Sequence, residues 1–344
     1  MPNRVVDIHN HGVPAGFVER VKVEGARHGY TVETLATPKG KTNDQYTEIL
    51  ITPEVETGIP LVIRRIDADH RRTTLSDAGV DVSIQSINPR LFGYTAGEQE
   101  AIWECKAIND AIWEDMQKSP RSLVGMAHVP LQYPVLAARE LERVASDYGM
   151  TSAMIATKVG GENLDCASLL PFWEAANDLG TLLFVHPHYN VSSERWSRYH
   201  LRNLIGNPLE TSTAITALIF GGVIEKFSNV KFCFAHAGGY APWIRGRWRH
   251  GYEVRSEPHE EGVYRPFDDY FGQLYFDSLI HDEEAFLFLV RSVGADRVLL
   301  GTDYPADMGD WTRVDEIRQS HELDGEDIDK ILGDNATRLL DLKD

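Results

Sequence analysis

Eight short apolar segments rich in β-forming residues recur along this 344-residue chain, and helical patterns separate them. Strands are predicted at residues 5–11, 79–87, 122–129, 151–157, 181–187, 230–236, 274–278 and 297–303. Strands that alternate with longer helices indicate βαβ units and a parallel sheet. Eight such units in a chain of this length predict an α/β fold of the (β/α)8 TIM-barrel type. The first strand is not followed by the GxGxxG motif of a dinucleotide-binding sheet, which argues against the doubly wound alternative.

Residues 12–66 interrupt this alternation. The segment is rich in Gly, Pro, Thr and charged residues and is too long for an ordinary connection between a strand and a helix. We therefore predict one barrel over residues 1–344, in which residues 12–66 form an insertion with short strands that covers the barrel mouth. A helix is expected to follow at residues 67–78, and residues 332–342 are expected to form a closing helix capped by Asp334 or Asn335.

The composition narrows the classes of partner. The net charge of −18 argues against nucleic acid or an anionic membrane as the main partner, because both repel an acidic surface. No apolar segment approaches the roughly 20 residues that span a membrane. The three cysteines are far apart and odd in number, and the N-terminus has no signal-peptide pattern. We expect a cytoplasmic protein with reduced thiols.

Histidine and aspartate side chains stand at the predicted carboxyl ends of four strands. In a barrel these ends surround one bowl, where the site residues of such folds gather. The candidates are His9, His11, His186, His236 and Asp303. Each motif alone is compatible with a hydrogen-bonded histidine near a turn or an aspartate that caps a loop. Their coincidence at one mouth favours a site for one divalent metal, with zinc preferred and manganese, iron or cobalt also suited to these ligands.

Longer motifs surround these strand ends: HNH near the start, FVHPH, IGNPLETSTAITALIFGGVIEKFSNVKFCFAHAGG, YFDSLIHD and LLGTDYP. Together they resemble the amidohydrolase superfamily and, more narrowly, the branch that contains aminocarboxymuconate semialdehyde decarboxylase. The likeness covers the first strand and the chain from about residue 67 onward. The resemblance implies a (β/α)8 barrel with one catalytic metal, usually zinc, and the non-oxidative release of CO2.

The resemblance also implies roles for individual residues. His236 is expected to deprotonate or position a metal-bound water. Arg255 matches a family arginine that reaches the neighbouring subunit's site and holds a substrate carboxylate, which implies a homodimer. A second arginine of this kind comes from the insertion, where Arg64 and Arg65 are the candidates. The implied metal ligands are His9, His11, His186 and Asp303, and Asp303 is also counted as catalytic.

Some positions depart from the family pattern or have two readings. His188 replaces the tryptophan that the decarboxylase carries after His-Pro, and Ala306 replaces an aromatic residue after GTDYP. The native substrate is therefore not expected to be the namesake of the branch; His188 and Phe92 are further substrate-binding candidates. Lys158 follows the fourth strand, where other branches carry a carbamylated lysine that bridges two metals. A solvated lysine is the favoured interpretation.

The expected activity is metal-dependent decarboxylation of a small aromatic or conjugated unsaturated carboxylic acid. A metal hydroxide could add to the substrate, or an acid could protonate the carbon that loses CO2. In either route the cation stabilises developing negative charge. The alternative within enzymes is a hydrolase or hydratase that uses the same metal-bound water. A catalytically silent barrel is disfavoured, because buried histidines and a carboxylate are costly to keep without a metal.

Overall fold

The computed structural model describes residues 4–40, 44–188 and 194–342, apart from the side chain of Glu56. Residues 1–3 and 343–344 of the predicted barrel and residues 41–43 of the predicted insertion lie outside these ranges. In chain order the strands are β1 Val6–Gly12, β2 Thr31–Lys39, β3 Tyr46–Thr52, β4 Val55–Pro60, β5 Val82–Ile87, β6 Leu123–Gly125, β7 Ala127–His128, β8 Ser152–Ala156, β9 Lys158–Val159, β10 Glu162–Asn163, β11 Leu182–His186, β12 Lys231–Phe234, β13 Tyr275–Asp277 and β14 Val298–Leu299.

Parallel strands form the wall of a barrel. One sheet runs β1-β5-β6 and a second runs β14-β13-β12-β11-β8-β7. β6 and β7 are two parts of one barrel strand, interrupted at Met126, whose N–H still bonds the carbonyl of Gln85 (2.9 Å) in β5. At the other seam, Ile8 N–H donates to Leu300 O (2.9 Å), and Asn10 forms a parallel bridge with Tyr304. The first and eighth barrel strands are thereby joined, which confirms the predicted (β/α)8 barrel.

Helices separate the barrel strands. They are α1 Ala15–Glu24, α2 Ile63–Ile66, α3 Ala68–Asp77, α4 Glu98–Lys118, α5 Pro134–Tyr148, α6 Leu170–Leu179, α7 Asn207–Phe220, α8 Val223–Lys226, α9 Ala241–Val254, α10 Phe267–Phe271, α11 Glu283–Val293, α12 Arg313–Arg318, α13 Gly325–Asp329 and α14 Asn335–Leu339. Side-chain caps set three of the starts: Asp67 accepts from His70 N–H (2.7 Å), Asp282 from Ala285 N–H (2.8 Å) and Asp324 from Asp327 N–H (2.8 Å). Within the described ranges, no helix is long and apolar enough to cross a bilayer.

The barrel strands are buried on both faces because the helices cover the outside and side chains fill the interior. Every residue of β8 and β11 is buried, which matches their continuous apolar runs SAMIA and LLFVH. The one polar residue of β11, His186, is the last residue of the strand, at the end where the barrel opens.

The segment between β1 and α3 contains more structure than its composition indicates. Helix α1 follows β1, and an antiparallel sheet with the order β2-β3-β4 follows the helix. The short strands were expected, whereas helix α1 was not. Phe17, Val18 and Val21 are the buried side chains of α1. The outer strand β2 is mostly exposed.

The predicted closing helix is wrong in its start and its cap. A π-helical turn, Lys330–Asp334, precedes α14, so Asp334 already has helical backbone angles and makes no side-chain capping bond. Asn335 is buried and its amide donates to the carbonyls of Ala295 (2.8 Å) and Val298 (2.9 Å). This asparagine fastens the C-terminal helix to the barrel instead of capping it.

Candidate metal centre

Four side chains meet at the carboxyl end of the barrel. One ligand atom from each of His9, His11, His186 and Asp303 can be chosen so that all four atoms lie within 4.8 Å of one another, and all four residues are buried. His9 and His11 belong to β1 and His186 ends β11. Asp303 follows β14, and its N–H donates to His9 O (2.7 Å). The structure thus brings together the four predicted ligands.

Each imidazole is held through its Nδ1 atom. His9 Nδ1 lies 2.5 Å from Asp277 Oδ2, and His186 Nδ1 lies 2.9 Å from Pro187 O. His11 Nδ1 lies 3.0 Å from the carbonyl oxygen of Ile87. Because each of these acceptors favours a proton on Nδ1, the lone pair of each Nε2 is left for the centre. This arrangement of a ligand and its outer partner is the usual one for metal-binding histidines.

The distances between ligand atoms fit a shared ion. His9 Nε2 lies 3.1 Å from His11 Nε2. When both rings carry their proton on Nδ1, neither Nε2 atom has a proton, so the two atoms cannot form a hydrogen bond with each other. Asp303 Oδ1 lies 3.4 Å from His9 Nε2 and 3.2 Å from His11 Nε2. Ligand atoms around one tetrahedral zinc lie roughly 3.3 Å apart, given bonds of about 2.0–2.1 Å. The residues present therefore fit a single divalent ion.

The charges around the centre also favour a cation. Burial opposes a charge on His9, but the carboxylates of Asp303 and Asp277 outweigh burial and raise its pKa to about 10. Burial lowers the pKa of His11 to about 4 and holds the pKa of His186 well below its usual range. Burial would raise the pKa of Asp303, yet the neighbouring imidazoles hold it well below its usual range. His11, His186 and Asp303 are thus held in the forms that bind metal, and an ion at the centre would replace the proton that the carboxylates otherwise keep on His9.

His236 stands beside the four ligands without being one of them. Its Nε2 lies 3.9 Å from Asp303 Oδ2, and its side chain is 20% exposed, whereas His9 is fully buried. His236 and Ala237 both have φ near 55°, a left-handed conformation that is uncommon outside glycine. His236 is therefore closer to solvent than the four clustered residues are.

A cavity of about 290 Å³ opens next to His236. Its walls include the apolar side chains of Leu204, Pro208, Trp243, Leu279 and Met308. Asn203 and Asn207 supply amide groups to the same lining. A cavity of this size with few polar groups matches a pocket for a small organic molecule.

Two predicted substrate-binding residues lie together on another side of the mouth. His188 Nε2 pairs with Glu54 Oε1 (3.1 Å), and Glu54 Oε2 accepts from the N–H of Gly93 (2.9 Å). The rings of His188 and Phe92 stack with centroids 5.6 Å apart. Glu54 lies between β3 and β4, so it ties the inserted sheet to the loop that follows the ligand His186. Sequence patterns did not single out Glu54.

The three predicted arginines occupy different surroundings. Arg64 Nε pairs with Asp44 Oδ1 (2.8 Å). Arg65 is half-buried, and its Nη1 donates to Pro60 O (3.2 Å). The carbonyl of Arg65 accepts from the N–H of Val13, the residue that follows β1. Arg255 ends α9, is 65% exposed and pairs with Glu257 of its own chain. The structure of the single chain does not bring these guanidinium groups into the four-ligand cluster.

Lys158 lies outside the metal cluster. Its Nζ is 3.2 Å from both carboxylate oxygens of Glu210 in α7, and it belongs to the small β9-β10 hairpin. An ammonium group held by a carboxylate matches the favoured interpretation of a surface lysine. The described ligands form a cluster for one ion, without a bridging lysine.

Asp277 was missed in the sequence. It ends β13 within YFDS, so the rule that selected Asp303 at the end of the eighth strand also applied to it. Its role became visible only through its contact with His9, which lies 268 positions earlier in the chain.

Comparisons with known proteins agree with this fold and site. The amidohydrolase family model matches residues 67–342. The 2-amino-3-carboxymuconate-6-semialdehyde decarboxylase of Dictyostelium discoideum is 37% identical over 278 residues, covering 80% of this chain and 77% of that protein. The gamma-resorcylate decarboxylase of Polaromonas sp. (strain JS666) is 26% identical over 297 residues, covering 81% of this chain and 89% of that protein.

A solved structure shares the whole fold. The dihydroxybenzoic acid decarboxylase from Polaromonas sp. JS666, with bound manganese and 2-nitroresorcinol, superimposes with a TM-score of 0.76 and 21% identity. The superposition covers 98% of this chain and 97% of that chain. The named relatives are carboxy-lyases, and the buried ligand cluster supports a divalent metal. Since the family match spans most of the sequence, the chain belongs to the amidohydrolase family, in the branch that contains these decarboxylases.

Proposed function

We propose that this protein is a metal-dependent decarboxylase that releases CO2 from a small aromatic or conjugated unsaturated carboxylic acid. The observation that carries the proposal is the buried His9, His11, His186 and Asp303 cluster with His236 at the edge of an adjoining cavity. The decarboxylases among its relatives act on acids of this kind by name. The cavity of about 290 Å³ suits a single substituted ring or a short conjugated chain.

The residues around the cavity have separate roles in this reaction. When bound, a divalent ion supplies a Lewis acid that stabilises negative charge as the bond to CO2 breaks. His9, His11 and His186 hold their Nε2 atoms toward that ion, and Asp303 adds the anionic ligand. His236 exchanges a proton through Nε2, either with water at the centre or with the carbon that loses CO2. The apolar walls of the cavity exclude bulk water around the reacting group.

Zinc is the proposed metal, because three imidazoles and one carboxylate form a set of four ligands that zinc commonly accepts. Manganese is the main competitor, since it is bound in the Polaromonas structure. Elemental analysis of protein purified without added metal identifies the metal and measures the number of ions per chain. We expect about one ion per chain; two per chain would call for a bridging ligand such as Lys158 and would favour hydrolysis.

An arginine is proposed to hold the substrate's carboxylate. In the insertion we favour Arg65 over Arg64, because Arg64 pairs with the carboxylate of Asp44, whereas Arg65 has no carboxylate partner among the described residues and donates only to the carbonyl of Pro60. The carbonyl of Arg65 bonds Val13, two positions beyond His11, which places this residue near the end of β1. Arg65→Lys should raise KM, since a lysine loses the bidentate fork, while Arg64→Lys should not.

Arg255 is proposed to serve the neighbouring subunit of a cytoplasmic homodimer. Its exposure leaves it free to reach another chain once its pairing with Glu257 is exchanged for a substrate carboxylate. The test mixes two inactive variants, Arg255→Ala and His236→Ala, into verified heterodimers. Sharing predicts recovered activity, because one of the two sites then has both residues intact. Heterodimers without activity would show that Arg255 does not act in the site of the partner subunit.

The activity itself is tested with protein reconstituted with zinc or manganese and a panel of small aromatic and conjugated acids. CO2 release and the decarboxylated product are measured together. We expect turnover of at least one monocyclic acid, absent in Asp303→Ala and strongly reduced in His236→Ala. Water addition or hydrolysis without CO2 from the same metal-loaded protein would overturn the proposal in favour of a hydratase or hydrolase.

A further inference from the structure

Asp277 connects the metal centre with the proposed base. The side chain is fully buried at the end of β13, and its two oxygens accept four hydrogen bonds. Oδ2 lies 2.5 Å from His9 Nδ1 and accepts from the backbone N–H of His236 (3.0 Å). Oδ1 accepts from the N–H groups of Ala237 (2.7 Å) and Leu279 (3.2 Å). One carboxylate thus contacts a residue of β1 and residues that follow β12 and β13.

The contact with His9 determines how that ring faces the centre. An acceptor at Nδ1 keeps the proton there and leaves Nε2 for a metal. The approach is close because residue 301 is glycine: a Cβ atom at Gly301 would lie 2.9 Å from the Cβ atoms of both His9 and Asp277. The packing around the pair therefore leaves no room for a side chain at this position without movement of the carboxylate or the imidazole.

The contacts with His236 and Ala237 hold an unfavourable backbone. Both residues have φ near 55°, a left-handed conformation that is strained for residues other than glycine. Their successive N–H groups both point at Asp277, a concave arrangement of amides that binds anions. The carboxylate offsets the strain of this turn, and the turn presents the His236 ring toward Asp303.

We infer that Asp277 is a positioning residue that sets the ring of the ligand His9 and the backbone of His236 through the same carboxylate. The inference rests on the proposed function only for the role of His236 as the proton-transfer group. The effect on His9 concerns metal binding alone and is measurable without a substrate.

The test is Asp277→Asn, measured with zinc alone by competition against a chelator. The asparagine side chain keeps an oxygen that can accept from the N–H groups of Ala237 and Leu279. Its NH2 group takes the place of Oδ2, the atom that faces His9 Nδ1. His9 must then accept at Nδ1 and carry its proton on Nε2, the atom that faces the ion. Loss of an outer partner of this type weakens metal binding about 10–100-fold, and we expect a loss in that range. Asp277→Glu keeps the carboxylate and should recover part of the affinity.

Two further readouts separate positioning from a general loss of structure. The visible spectrum of the cobalt-loaded protein should change in Asp277→Asn, since it reports the ligands around the ion. A crystal structure of the same variant should show His236 and Ala237 leaving their left-handed conformation. Glu104→Gln is the matched control, because it replaces another fully buried carboxyl group with an amide and should leave the zinc affinity unchanged.

The inference is overturned by wild-type zinc affinity and an unaltered cobalt spectrum in Asp277→Asn. If that variant does not fold, nitrogen NMR of the zinc-loaded wild type decides: a proton on His9 Nδ1 supports the inference, and a proton on Nε2 overturns it. A protein that loses zinc affinity as expected but decarboxylates no acid would refute the proposed function while leaving the positioning of His9 by Asp277 intact.

Discussion

Two regions of the molecule, the metal centre and the sheet β2-β3-β4 of the predicted insertion, are built in different ways. The ligands of the centre are buried at strand ends, and hydrogen bonds hold the far side of each imidazole. The sheet β2-β3-β4 exposes most of its outer strand, and Glu54 between β3 and β4 reaches the loop after β11. The match to the family model begins at residue 67, after the insertion. The barrel strands position the centre, whereas the insertion is attached by buried apolar side chains such as Leu50 and Ile59 and by the contacts of Glu54.

The largest effect is expected from breaking the centre. Asp303→Ala and His186→Ala each remove a ligand and should weaken zinc binding by more than the roughly 100-fold loss that follows removal of an outer partner. Metal content after dialysis and chelator competition measure the change. His188→Ala is the control, since this histidine lies two positions beyond a ligand but pairs with Glu54. Full metal content in either ligand variant would contradict the assignment.

His236→Ala tests whether His236 is a metal ligand or a proton-transfer group. We expect the variant to keep its metal, because His236 is not one of the four clustered ligands. Turnover should fall about 10²–10⁴-fold, the usual contribution of a positioned proton-transfer group. The measurement is kcat for the best acid of the panel, normalised to bound metal. A near-normal kcat would exclude His236 from proton transfer, and loss of metal would make it a ligand.

The difference between the regions explains what the sequence could predict. Strand ends meet at one mouth in any barrel, so His9, His186 and Asp303 could be grouped although they are far apart in the chain. The same rule would have selected Asp277 had carboxylates been sought as partners of histidine as well as ligands. No spacing rule connects Glu54 with His188, or predicts the left-handed backbone at His236. These features depend on contacts between distant segments.

A smaller effect is expected at Glu104, where a substitution should change how the free energy of unfolding depends on pH. Glu104 of α4 is fully buried, and burial, with the charge of Glu54, raises its pKa from 4.5 to about 8. An acid with a raised pKa binds more protons when folded, so its contribution to stability falls as pH rises from about 4.5 to about 8. Glu104→Gln should remove this fall and make the variant more stable than wild type above pH 8.

Urea unfolding of wild type and Glu104→Gln between pH 5 and pH 9 measures the effect. The difference between the two free energies of unfolding should grow by at most about 1.4 kcal/mol per pH unit, the limit for one proton. Asp7 also has a pKa raised by burial, to about 6, but it is present in both proteins and cancels in the difference. A difference that stays constant with pH would show that Glu104 has an ordinary pKa.

The smallest effect is expected from loosening the insertion itself. Glu54→Gln keeps an oxygen for the N–H of Gly93 but replaces the carboxylate that contacts His188 with a neutral amide. Both side chains are nearly buried, so the free energy of unfolding should fall by about 1–2 kcal/mol. Hydrogen exchange should rise in β3 and β4 while zinc affinity stays unchanged. Thr57→Ala, which removes the exposed bond from Arg90 Nη2 (2.9 Å), is the control and should change exchange less.

The comparison between the two regions depends on this result. If Glu54→Gln speeds exchange only in the inserted strands, the sheet is attached by local contacts and can change without disturbing the metal ligands. Substrate preference could then diverge between relatives through the insertion while the centre is conserved in geometry. If the same substitution also weakens zinc binding, the loop that carries His186 transmits the change, and the insertion must be counted as a support of the centre.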